Sequence, residues 1–234
     1  MLEVKNISKR FLVGLNVFKK RPKIQALTDI SFSVNEHESI AILGKNGSGK
    51  TTLLKILSGL ISHDKGEIIS SKEDLANKIS IINSNDRSFF WRLTVEENLR
   101  FFCSFDDIDK DYYEKILNLT GLDNKLHSLF ASLSYGQKKK LSIARALLKK
   151  SDILLMDEIT SSVDIRAKKR ILKFIKELRK KNLLKAIIFS THDLSEVIEL
   201  ADKFIFIDDG KILKSGHVDG INSYKDLEKL FDEK

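Results

Sequence analysis

The chain has 234 residues, 42% hydrophobic and 32% charged, with 41 Lys and Arg against 33 Asp and Glu for a formal net charge of +8. That length holds one sizeable core, or one core with a small lobe, and excludes two full α/β domains. The composition excludes a disordered or fibrous chain. Apolar runs such as "ILLM" at 153–156 and "AIIF" at 186–189 are strand-length, far below the ~18 residues of a membrane span. The N-terminal "MLEVKNISKR" lacks the apolar core and cleavage site of a secretory signal, so a cytosolic protein is expected. Cys103 stands alone; a disulfide within the chain is excluded, and an apolar helix filler is its expected role. The positive balance suits a Lys-rich solvated surface or an anionic membrane surface. Aromatic residues are not interleaved with the basic clusters, so no nucleic-acid partner is expected.

In chain order, "LEVKNI" and "ISFSV" alternate in polarity and read as half-buried strands, separated by the basic "FKKRPK" at 18–23, an expected exposed loop. "SIAIL" at 39–43 is a strand that runs into glycines, and "KTTLLKILSGL" continues as a helix closed by Gly59. "KGEIIS" and "KISIIN" give two more strands. Thr94 and Glu97 form a capping-box pattern ahead of "NLRFFCSF", and "DYYEKILNLTGL" ends a second helix at Gly121. About residues 86–135 thus read as a helical insertion in one domain spanning 1–234. A helix after "LSYGQ", the strand "DILLMDE", a basic helix, the strand "AIIFST", a short helix and a hairpin with Asp-Gly at its bend complete the chain. Strand and helix alternate, which points to a parallel sheet covered on both faces.

"GKNGSGKT", Gly44 to Thr51, matches G-x-x-x-x-G-K-[ST] between a predicted strand and helix. Its glycines let backbone N–H groups close on phosphate oxygens, Lys50 reaches the terminal phosphates, and the Thr51 hydroxyl is a candidate Mg²⁺ ligand. "ILLMDE" ends a buried strand in two carboxylates, where ligands bind in open α/β sheets. Asp157 is the candidate Mg²⁺ partner and Glu158 the candidate base for an attacking water. His192 in "STHD" alone reads as a surface or capping histidine; behind Lys50 and Glu158 it becomes a candidate γ-phosphate contact.

"GKNGSGKT", "LSYGQ", "ILLMDE", "SSVD" and "STHD", in this order and spacing over nearly the whole chain, resemble the ATP-binding subunit of ATP-binding cassette (ABC) transporters. The resemblance implies an α/β P-loop NTPase fold: a RecA-like core with a mostly parallel sheet, an antiparallel β subdomain and an inserted helical subdomain. It implies an ATPase using ATP and Mg²⁺ and working as a head-to-tail dimer, with a second copy or a paralogous cassette. Separate transmembrane permease subunits and a peripheral position on the inner face of the cell membrane follow. The implied nucleotide contacts are Gly44, Asn46, Gly47, Ser48, Gly49, Lys50, Thr51 and Thr52 in the phosphate loop, with Phe11 stacked on adenine. Ser134, Gly136 and Gln137 of the signature turn would meet the γ-phosphate held by the opposite subunit, and Asp164 closes the loop that crosses the dimer interface. A soluble ABC ATPase serving cofactor assembly or a nucleic-acid process carries the same motifs and stays open as an alternative.

Three departures from the family pattern stand out. Tyr135 replaces a usual glycine in the signature, which is acceptable only if that position does not need φ > 0. Ile159 replaces a usual proline. At 83–86, "NSND" stands where the family offers a Mg²⁺-contacting glutamine; Ser84 and Asn85 are the candidate substitutes. "RSFFWRLT" at 87–94 is expected to be either a packing cluster or a groove for a membrane subunit. With the loop at 13–25 it looks most like the exporter branch that handles lipids, polysaccharides or drugs.

Overall fold

The computed structural model describes residues 1–12, 22–70, 78–83, 88–103, 108–161 and 164–219. The chain divides into two compact units, one from Met1–Ala76 with Ala186–Lys234 and one from Asn77–Lys185.

The first unit holds two groups of strands. Strands β1 (Leu2–Leu12), β2 (Lys23–Val34) and β4 (Lys65–Ser70) form an antiparallel sheet in the order β2-β1-β4. Alternation at the start of β1 buries Leu2 and Val4, the period-2 pattern of a sheet with one covered face; a register shift at Asn6, φ 51°, then makes Ile7 the next buried apolar residue. β1 and β2 run longer than their apolar patterns suggested, and Lys23 of the basic stretch already opens β2. Strands β3 (Glu38–Leu43), β7 (Ala186–Thr191) and β8 (Lys203–Asp208) pair in parallel in the order β7-β3-β8. β7 is buried along its whole length and β3 almost so, as a sheet covered on both faces requires. β9 (Lys211–His217) returns antiparallel on β8. Asp209 and Gly210 both take positive φ, 44° and 72°, the two left-handed positions of a type I′ hairpin. Helices α1 (Lys50–Leu57) and the seven-residue turn of helix Leu194–Leu200 complete the unit.

The second unit pairs β5 (Ile79–Asn83) in parallel with β6 (Ile153–Asp157), placing Asn83 opposite Asp157. Its α-helices among the described residues are α2 (Val95–Cys103), α3 (Lys110–Thr120), α4 (Tyr135–Leu148) and α5 (Ile165–Lys180). The capping box is formed: the Thr94 amide donates to the Glu97 carboxylate at 2.7 Å and the Glu97 amide to Thr94 Oγ1 at 3.2 Å. Those bonds to Thr94 hold the Glu97 carboxyl below its usual range. α3 is capped by Asp109 and closed by Gly121 at φ 65°, the left-handed end that glycine favours.

The aromatic stretch before α2 divides its roles. Phe89 is only 4% exposed and stacks on Phe130 at 4.9 Å, so it is a core residue and not a surface anchor. Arg145 of α4 lies between Phe89 and Phe102, 4.4 and 4.6 Å from their centroids; burial lowers its guanidinium to about 10, still cationic at neutral pH. Asn98 is fully buried and bonds the backbone of Phe90, Leu93 and Thr94. It fixes the segment so that Phe90 and Trp91, 46% and 52% exposed, stay outside with Phe101. Phe89 therefore follows the packing reading, while Phe90 and Trp91 remain on the surface, where the groove reading would need them.

Candidate functional site

In the first unit the phosphate loop joins β3 to α1. Lys50, the first residue of α1, is 4% exposed, and its Nζ donates to the carbonyls of Gly44 at 2.8 Å and Lys45 at 2.9 Å. The ammonium is thus held across the inside of the loop. Gly44 has φ 150°, and a Cβ there would stand 2.1 Å from the Ile207 carbonyl and 2.6 Å from Ser48 Oγ. The loop closes this tightly only because that position carries no side chain. Gly49 caps α1 at φ 109°, with Ala26 O 2.7 Å from where its Cβ would be. Ser48 Oγ is buried with no hydrogen-bond partner. An orphaned hydroxyl beside a buried ammonium at a helix N-terminus is a ready anion cradle, and phosphate fits it. Thr51 and Asn46 are exposed and Thr52 half-buried around the same turn.

His192 directly follows β7 and is exposed, as both readings of it allow. Phe11 is 38% exposed on β1, with Lys9 Nζ 5.5 Å from its ring centroid. Its ring does not pack inward, which removes the simple core explanation for an aromatic at that position.

In the second unit β6 delivers Asp157, 8% exposed, and Glu158 immediately after it. Glu158 has φ 47°, a left-handed conformation uncommon outside glycine. Opposite Asp157, the Oδ1 atom of Asn83 is buried with no hydrogen-bond partner. An unpartnered amide oxygen one strand from a carboxylate is a donor set that suits a hard divalent cation such as Mg²⁺. Asn83 was missed from sequence because it reads as the last polar residue of a strand. Ser84 and Asn85 lie outside the described residues, as do Ser162 and Val163.

The signature turn opens α4. Ser134 is its N-cap: Ser134 Oγ accepts from the Gln137 amide at 3.3 Å, and Gln137 Oε1 accepts from the Ser134 amide at 2.9 Å. The two side chains stiffen the helix start reciprocally. Tyr135 is the first helical residue and has no positive φ, so the missing glycine strains nothing. A Cβ at Gly136 would meet no atom within 4 Å, leaving the backbone accessible there. The turn borders a cavity of about 670 Å³ whose lining carries charges of both signs, Lys140, Arg170 and Lys173 with Asp164 and Glu177. Asp164 caps α5, accepting from the Arg166 and Ala167 amides, both at 2.9 Å; its carboxylate has a structural role that its place in "SSVD" did not reveal.

Lys139 also escaped the sequence reading, because "KKK" at 138–140 looks like a solvated run. It is fully buried, donating to the Asn83 carbonyl at 3.0 Å. Its spacing carried the signal: it lies four residues after Tyr135 and three and four before Ser142 and Ile143, on the buried stripe of α4.

The family profile described as ABC transporter matches residues 27–161. The chain is 33% identical over 228 residues to the energy-coupling factor transporter ATP-binding protein EcfA1 of Mycoplasma mobile, covering 92% of this chain and 80% of that protein. It is 35% identical over 192 residues to the molybdenum import ATP-binding protein ModC of Photobacterium profundum, covering 77% of this chain and 53% of that protein. A solved dimeric ATP-binding cassette in a post-hydrolysis state, bound to ADP and Pi, superposes with a TM-score of 0.77 at 24% identity, covering 94% of this chain and all of that one. That likeness agrees with the α/β P-loop fold. Import recurs in the names of the relatives, and the expected exporter branch finds no support among them. With its nucleotide-loop geometry and these relatives, the chain belongs to the ABC transporter family, as the ATP-binding, ATP-hydrolysing subunit of a membrane transporter.

Proposed function

We propose that this chain powers transport by closing on ATP against a second copy or a paralogous cassette, and that it passes the resulting movement to separate transmembrane permease subunits from the inner face of the membrane. The observation that carries the reading is the phosphate loop, with Lys50 Nζ bridging two loop carbonyls beside the unpartnered Ser48 hydroxyl. Lys50 and the amides of Gly44 to Thr52 hold the phosphates, and Phe11 stacks on adenine. Thr51 and Asp157 are the residues that would hold Mg²⁺, which would neutralise charge on the phosphates. Glu158 takes the proton of the attacking water, and His192 donates toward the terminal phosphate. Ser134, Gly136 and Gln137 present the start of α4 to the nucleotide of the opposite cassette, and Asp164 anchors the crossing loop through its cap on α5. The whole chain acts as one ATPase domain with residues 86–135 as its helical part.

The membrane partner docks on the exposed aromatic edge made by Phe90, Trp91 and Phe101, since exposed aromatic residues fixed by a buried framework make effective anchors. No helix among the described residues is long and apolar enough to cross a membrane. Direction of transport follows the named relatives more closely than the exporter branch. Capture of the tagged full chain from detergent-solubilised native membranes tests this: a polytopic membrane protein is expected in stoichiometric amount. Combined Phe90→Ala and Trp91→Ala should lose it while basal ATP turnover persists. Recovery of a purely soluble complex would contradict the transporter reading and favour a cytosolic ABC ATPase.

A further inference from the structure

Glu158 stands at a strained corner. Its φ of 47° is unfavourable for any side chain with a Cβ, so neighbouring contacts must hold it. Two bonds come from the turn itself: the Ser161 amide and Ser161 Oγ both donate to the Glu158 carbonyl, at 3.1 and 2.8 Å. Another comes from a different element. The hydroxyl of Tyr135, at the start of α4, donates to the Ile159 carbonyl at 3.0 Å, with the Ser161 carbonyl at 3.4 Å.

The tyrosine is itself held in place. Lys139, one helical turn along, puts its Nζ 4.8 Å from the Tyr135 ring centroid and bonds the Asn83 carbonyl at the end of β5. A fully buried ammonium between an aromatic face and a strand carbonyl has little freedom. The ring is therefore fixed on one side by the strand that precedes residues 84–86, and its hydroxyl grips the turn after β6 on the other. Both Tyr135 and Ile159 are positions where the sequence departs from the family pattern, and here they bond to each other.

We propose that Tyr135 is a positioning residue for ATP hydrolysis, its hydroxyl holding the turn that carries Glu158 so that the carboxylate is aimed at the attacking water. This rests on the reading of Glu158 as the general base. A carboxylate displaced on the order of 1 Å loses much of its catalytic effect without altering nucleotide binding.

The test is ATP turnover by the full chain carrying Tyr135→Phe, which removes the hydroxyl and keeps the ring. kcat is expected to fall about fivefold to tenfold, the size of one hydrogen bond, while KM for ATP stays within about twofold and the melting temperature within about 2 °C. Because Tyr135 acts through Glu158, adding Tyr135→Phe to Glu158→Gln should not lower the residual rate further. An unchanged kcat in Tyr135→Phe overturns the inference. So does a fall that tracks the folded fraction, or an equal further loss in the Glu158→Gln background. Retained turnover in Glu158→Gln alone removes the Glu158 reading and this inference with it; a dead Glu158→Gln beside an unaffected Tyr135→Phe removes this inference alone.

Discussion

Replacing Glu158 with glutamine is expected to lower ATP turnover about 10²- to 10⁴-fold, the range lost with a positioned general base, while ATP binding persists. The carboxamide matches the carboxylate in shape but cannot take a proton from water. The Ser161 amide and hydroxyl bond the backbone carbonyl of residue 158, and the substitution keeps both bonds. A loss of turnover therefore reports chemistry rather than unfolding. Steady-state phosphate release measured beside equilibrium nucleotide binding separates the two. A Glu158→Gln protein that retains turnover within about tenfold would show that the proton goes elsewhere.

Gly44→Ala should be nearly as severe, for a different reason. The added methyl would stand 2.1 Å from the Ile207 carbonyl and 2.6 Å from Ser48 Oγ. Neither neighbour can yield easily: Ile207 is fully buried within β8 and Ser48 is 4% exposed. The loop must shift, which carries the Gly44 carbonyl off Lys50 Nζ and opens the cradle. Displacement on the order of 1 Å costs about 100-fold in function, and overpacking adds roughly 1–3 kcal/mol of destabilisation. Gly47→Ala is the control, because nothing lies within 4 Å of its added methyl and only its φ of 85° resists. Nucleotide affinity measured for both variants should drop far more in Gly44→Ala; equal effects would mean that the close approach to Ile207 does not shape the site.

Local rules explain what the sequence made legible. The Thr94–Glu97 cap, the Gly121 helix end and the Asp209–Gly210 hairpin each depend on a few neighbouring residues, and each forms as expected. The phosphate loop was equally readable, since its glycines are demanded by backbone geometry that spacing encodes. What stayed hidden depends on contacts between distant elements. Phe89 and Trp91 look alike in sequence, yet Phe130 and Arg145 bury the first and leave the second exposed. Tyr135 read only as a tolerable replacement for a usual glycine, because nothing local shows that its hydroxyl reaches the turn after β6. Asn83 looked like a strand end until the β5–β6 register set it opposite Asp157. Lys139 stayed hidden for the same reason: three consecutive lysines look alike, and only the helical period puts the middle one inside.

The role of the signature turn is decided by sedimentation of Glu158→Gln with Mg-ATP, compared with the same protein carrying Gly136→Asp. A Cβ at Gly136 meets nothing within 4 Å, and a carboxylate at a helix N-terminus is compatible with folding, so the second variant should fold and still bind ATP. Facing the phosphates of an opposite cassette, however, the added charge would repel them. An ATP-dependent dimer is expected for Glu158→Gln, and an ATP-bound monomer once Gly136→Asp is added. A Glu158→Gln protein that binds ATP yet stays monomeric, or dimers that form equally well in both, would contradict the signature turn's role in completing a partner's site.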